Sequence, residues 1–179
     1  MRAEEFYGAF REYEGRKKRA EELSSKINAL AKETIDSRKS MEELDKLFEE
    51  ALSLVKEDPF LSSIFERSFQ SYCEAKLFLS FLRDKKTEIA ENIDPDLSMG
   101  ALKHMLGDLR RYFLEKMERA EIAEAKNAFE AMDEIFKVLE KLGEETEDLA
   151  RMVDRSREEL YDYRRKREEL DLDDVWFRR

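Results

Sequence analysis

The chain has 179 residues, enough for one domain over 1–179 with a real core. Its charged fraction is 44%, against about 25% in ordinary globular chains, and it holds only 5 glycines and 2 prolines. Few β-branched residues and an abundance of Ala, Glu, Leu, Lys and Arg exclude a sheet protein and point to an all-α fold. The net charge of −10 argues against a simple basic nucleic-acid binder, although it leaves room for a locally gathered basic surface.

Residues 3–36 read as one long helix, with Phe6, Phe10, Tyr13, Ala20, Leu23, Ile27, Leu30 and Ile35 as its apolar stripe. Gly8 and Gly15 weaken its first half and allow a bend or a close contact there. Ser40 and Glu43 have the spacing of a capping box. The helix they introduce carries Leu44, Leu47, Phe48, Ala51, Leu54 and Val55 inward. Asp58-Pro59 then opens a helix over 59–86, since proline is tolerated where the first N–H is unpaired anyway. Phe60, Phe65, Phe69, Tyr72, Phe78 and Phe81 make it the most aromatic segment and place it centrally. Arg67, Ser71 and Glu74 form a narrow polar strip on it, and lone Cys73 rules out an intrachain disulfide.

Asp94-Pro95 opens the next helix, whose buried face is Leu102, Leu106, Leu109, Phe113 and Met117. A second stripe on it combines Gly100, His104, Gly107 and Arg111, with Asp108 alongside. Two interior glycines cost about 1 kcal/mol each relative to alanine, so a close approach of another helix or a ligand is expected there. Residues 120–142 give a seam of Ile122, Ala125, Phe129, Met132, Phe136 and Leu139, widened by Ala128, Ile135, Val138 and Leu142, with Gly143 as C-cap. The last helix, 145–170, repeats the pattern with Leu149, Val153, Ser156, Leu160, Tyr163 and Leu170, and Trp176 and Phe177 follow in the tail. Six or seven helices with short connections make an antiparallel bundle the expected architecture. The polar start and the lack of an apolar run of about 18 residues give no signal peptide and no membrane span, so a cytoplasmic protein is expected.

No phosphate loop, CxxC pair, HExxH or nucleophile elbow is present. Glu74, His104 and Asp108 are the one constellation with chemical promise. They can be a divalent-metal site, or Glu74 can pair with Arg67 or Arg111 while His104 bonds Asp108 along its own helix. The basic clusters Arg16-Lys17-Lys18-Arg19, Lys85-Lys86, Arg110-Arg111 and Arg164-Arg165-Lys166-Arg167 can be solvated helix faces or nucleic-acid contacts.

Five segments together resemble the translin family. DPDLSMGALKHMLGDLRRYFLEKM is similar to its proline-led LLGLADLxGELRR-like helix, and SFQSYCEAKLFLSFL to its LQEYVEAxxF helix. DSRKSMEELDKLFEEA resembles the segment between its first two helices. AEAKNAFEAMDEIFKVLEKL and RMVDRSREELYDYRR resemble its last two. The resemblance implies a seven-helix subunit of a hollow octamer that binds RNA or single-stranded DNA. It also implies kinship with translin-associated factor X and its archaeal relatives, which are magnesium-dependent endoribonucleases. In register with their four acidic positions stand Ser71, Glu74, His104 and Asp108, so two carboxylates are kept and two are lost. Such a set holds magnesium poorly, and its imidazole favours manganese or zinc. The resemblance thus implies a binder with a degenerate nuclease site, as a homo-oligomer or beside a catalytic paralogue. The alternatives are a metal-dependent endoribonuclease using Glu74, Asp108 and His104, and a structural scaffold. Arg16, Lys17, Lys18, Arg19, Arg110, Arg111, Arg164 and Arg165 are the expected nucleic-acid contacts.

Overall fold

The computed structural model describes residues 3–85, 95–143 and 146–177, with side chains described over 7–85, 96–143 and 146–166. Among these residues there are six α-helices and one 3₁₀ turn: α1 (Ala3–Ser37), α2 (Glu42–Glu57), the turn Pro59–Leu61, α3 (Ser62–Asp84), α4 (Pro95–Glu118), α5 (Ile122–Lys141) and α6 (Glu147–Phe177). No described helix is long and apolar enough to cross a membrane. The chain falls into two compact units, one running to Ser80 and including α4 as far as Ala101, the other taking Phe81 onward in α3 and Leu102 onward.

In the first unit α1 is continuous despite its two interior glycines, and a Cβ added at either one would meet no described atom within 4 Å. Arg19 meets Glu50 and Arg16 meets Asp58, so α1 and α2 run in opposite directions. Ser24 donates to the Ile64 carbonyl and Ser71 to Asn28, which sets α3 parallel to α1. Ala20, Leu23, Ile27, Leu44, Ala51, Leu54, Leu61 and Phe65 fill the space between, each buried. Phe48 stacks on Tyr72 at 3.8 Å between ring centroids, and the Tyr72 hydroxyl donates to Asp45 at 2.8 Å.

Three sequence expectations are corrected here. The helix expected over 59–86 opens as a separate 3₁₀ turn, with the Asp58 carboxylate accepting the Phe60 N–H at 3.3 Å. Phe60 points outward and is 83% exposed. Helix α2 begins at Glu42 rather than just after Ser40; the serine hydroxyl accepts the Glu42 N–H at 3.3 Å, so it still serves the first turn. The expected stripe of α1 is buried only from Ala20 onward, and Phe10 is 51% exposed. The cause is geometric. By Arg16 the antiparallel partner α2 has reached its C-terminal end, and the turns of α1 before Arg16 run past it. Phe6 and Asp94 lie outside the described side chains.

In the second unit the expected α4 face is buried at Leu102, Leu106, Leu109 and Phe113. Ala125, Ala128, Met132, Ile135 and Leu139 of α5 and Val153, Ser156 and Leu160 of α6 are also buried. Arg157 of α6 reaches Asp133 of α5 at 3.0 Å. Val138 and Leu142, expected to widen the seam, are exposed, because they sit on the flank of α5 at its C-terminal end. Gly143 closes α5 with φ +76°, a left-handed geometry that glycine adopts without strain. Helix α6 runs on to Phe177 and so absorbs the expected tail; the side chains of Leu170, Trp176 and Phe177 lie outside those described.

Candidate acidic site and basic surfaces

Helix α3 carries Ser71 and Glu74, and helix α4 carries His104 and Asp108. The Ser71 hydroxyl is 2.8 Å from Asn28 Oδ1 and 3.1 Å from the Arg67 carbonyl, so it is engaged within its own unit. Glu74 is half-buried and His104 is exposed. Asp108 is buried; its Oδ1 pairs with the Arg111 guanidinium one turn on, and its Oδ2 has no hydrogen-bond partner. An orphaned buried carboxylate oxygen is costly. Arg111 itself is mostly exposed, so the pair is open to solvent on one side.

The glycine stripe behaves in two ways. At Gly100 an added Cβ would meet the Gln70 side-chain amide at 2.8 Å, so the close approach expected from sequence exists. At Gly107 an added Cβ would meet no described atom within 4 Å, so no close approach is seen there. As a donor set the four positions suit a hard divalent ion badly. Ser71 and His104 supply no carboxylate, and a guanidinium already neutralises part of Asp108. Among the described residues no three His, Cys, Asp or Glu side chains gather closely enough to hold a metal ion. Cys73 is buried, and burial pushes its thiol up to about 11, so it is no nucleophile at neutral pH.

The basic clusters divide by occupation. Arg16 faces Asp58 at 3.4 Å and Arg19 faces Glu50 at 2.7 Å, both from exposed positions. Lys17, Lys18, Arg164 and Lys166 make no ion pair among the described residues. Arg165 is exposed, while Lys86 and the Arg167 side chain lie outside the described residues. Lys85 donates to Glu124 and lies 5.7 Å from the Phe81 ring centre. Arg110 is structural: its side chain is 16% exposed, its two terminal nitrogens each reach Glu159 at 2.6 Å, and Nη1 also donates to Ser156.

A cavity of about 330 Å³ opens beside Arg110, lined also by Asp148, Arg151, Met152 and Arg155 of α6. The sequence reading passed over Arg151 and Arg155 because neither belongs to a contiguous basic run. Their spacing of four, one turn apart on a helix face, was the available signal.

The described helices make an all-α, translin-like fold. Apo-NeC3PO aligns with a TM-score of 0.68 at 20% identity, covering 90% of this chain and 94% of that one. AfC3PO in complex with duplex RNA gives 0.66 at 20% identity, and a second crystal structure of AfC3PO gives 0.64 at 20%, each covering 90% of this chain and 92% of the other. What the chain shares with these structures is the all-α translin-like fold. No family model and no curated protein matches the sequence.

Proposed function

We propose that this chain is a cytoplasmic, oligomeric translin-like protein that binds RNA or single-stranded DNA and does not cleave it. The observation that carries the reading is the fold shared over 90% of the chain with a protein solved on duplex RNA. Cations without an ion pair among the described residues, exposed Lys18 and Arg164 and half-buried Lys17, support it, since phosphate contact needs cations not already neutralised. The silent acidic site rests on Ser71 and His104 in place of carboxylates and on the guanidinium bound to Asp108. Assembly is either with itself or with a catalytic paralogue that supplies the missing carboxylates.

The test is fluorescence anisotropy with labelled single-stranded and duplex RNA across a salt series. Reversing Lys17 and Lys18 to glutamate, which leaves the Arg16–Asp58 and Arg19–Glu50 pairs intact, should weaken binding and flatten the salt slope, by roughly 0.7 per lost contact on single strands. Unchanged affinity would remove the α1 surface from the reading. Gel assays in magnesium should show intact RNA with the natural chain, and Ser71→Glu with His104→Asp is the variant expected to regain metal-dependent cleavage. The endoribonuclease alternative draws on the two retained carboxylates and the unpartnered Asp108 Oδ2. Glu74-dependent cleavage by the natural chain would establish it instead.

A further inference from the structure

We propose that the cavity beside Arg110 is a phosphate pocket that seats one phosphate group of a bound nucleotide chain, with Arg151 and Arg155 as its ligands. The inference rests on the reading of the chain as a nucleic-acid binder, and it places a contact where no contiguous basic run exists. Three guanidinium groups and one carboxylate, Asp148, surround a single cavity of about 330 Å³. That volume is at the lower end of small-ligand sites, about 300–1,000 Å³. Arg110 is already paired with Glu159 and Arg151 with Glu147 and Asp148, which leaves Arg155 as the guanidinium with no partner among the described residues.

The three arginines have distinct parts. Arg110 is held by both Glu159 oxygens and by Ser156, and its guanidinium lies 5.3 Å from the centre of the Phe113 ring. It is a fixed, charge-paired wall with little left to donate. Arg151 pairs with Glu147 and Asp148 on its own helix, whose side chains are 85% and 94% exposed. Such intrahelical surface pairs are weak and readily exchanged for a phosphate, which accepts bidentate bonds from guanidinium. Arg155 is exposed and has no ion-pair or hydrogen-bond partner among the described residues. It follows Arg151 by one helical turn, so the two present paired forks on one face. Met152 adds an apolar wall, which suits the sugar side of a nucleotide better than a free, fully hydrated ion.

Arg155 has no bond to lose among the described residues, so Arg155→Ala should fold and melt as the natural chain does. The full chain is titrated with a single-stranded ribo-oligonucleotide, made with and without a 5′-phosphate, and the variants are Arg155→Ala and Arg151→Ala with Arg155→Ala. The double variant is expected to lose five- to thirtyfold in affinity and to lower the salt slope by roughly 0.7 per arginine. A loss confined to the 5′-phosphorylated strand assigns the pocket to a terminal phosphate; an equal loss on both strands assigns it to an internal phosphodiester. If the double variant binds as the natural chain does while the α1 charge reversal weakens binding, the pocket proposal falls and the nucleic-acid reading stands. If no oligonucleotide binds at all, that reading falls, and a 5′-mononucleotide and inorganic phosphate are titrated while the Met152 methyl resonance is followed. A shift that Arg155→Ala abolishes keeps the pocket as a phosphate site, and an unmoved resonance overturns it.

Discussion

At the scale of single residues, the two glycines of the α4 stripe look alike in sequence and differ in the folded chain. Gly107 faces open space, so Gly107→Ala should stabilise the protein by about 0.5–1 kcal/mol through helix propensity. Gly100→Ala should gain less, because its Cβ would stand 2.8 Å from the Gln70 amide and force that side chain aside. Combining it with Gln70→Ala should recover the difference. Urea denaturation of these three variants, with Gln70→Ala alone as the reference for the double variant, measures this directly, and equal effects at both glycines would refute the distinction. The sequence made a close approach legible as a possibility at both positions. Which one was real depended on Gln70, thirty residues away by number and a helix away in space. The acidic site has the same limit. Spacing placed Ser71 and Glu74, and His104 and Asp108, in pairs on their helices, but it could not show that Arg111 would hold Asp108 or that Asn28 would engage Ser71.

At the scale of elements, helix type was legible almost everywhere because apolar spacing alone specifies it. Boundaries and exposures were not, since they depend on where a neighbouring helix stops. One junction carries a measurable charge effect. The end of α3 is tied to α5 by Lys85, which donates to Glu124 at 2.5 Å, while the Tyr112 hydroxyl of α4 donates to the same carboxylate at 2.7 Å. These two bonds, Lys85 first, hold the Glu124 carboxyl below its ordinary value. A lowered carboxylate stabilises the fold fully above its unfolded pKa of about 4.3. That contribution is lost as pH falls through the lower folded value. Melting temperature should therefore drop from about pH 5 towards pH 3 more steeply in the natural chain than in Glu124→Gln. The effect should be modest, because the pair is one-third exposed and screened by solvent. Superimposable curves would show that the bonds add nothing.

At the scale of the whole molecule, the exposed aromatic residues at the start of α1 bear on assembly. Tyr7 and Phe10 are both more than half exposed, and Arg11 lies over the Tyr7 ring at 4.8 Å. Self-association is the expected state, and sedimentation at tens of micromolar should give a species larger than 21.4 kDa. Tyr7→Ser with Phe10→Ser should shift that equilibrium towards the monomer while leaving the melting temperature nearly unchanged, since neither side chain is in the core. A strict monomer in the natural chain would end the oligomer proposal.

The turns of α1 that run past α2 have a consequence in time as well as in space. Residues 3–15 span about 20 Å of helix at 1.5 Å per residue. Their amides are protected by hydrogen bonds within the helix, and from Tyr7 to Gly15, where side chains are described, none is buried. A free helical segment of about a dozen residues is marginal in water. Deuterium should therefore enter the amides of Tyr7 to Glu14 by local fraying, far sooner than those of Leu23 to Ala31, which share the core of the first unit. Any partner that covers Tyr7 and Phe10 would slow this exchange without touching the core, so the exchange clock at one end of one helix reports occupancy of that surface.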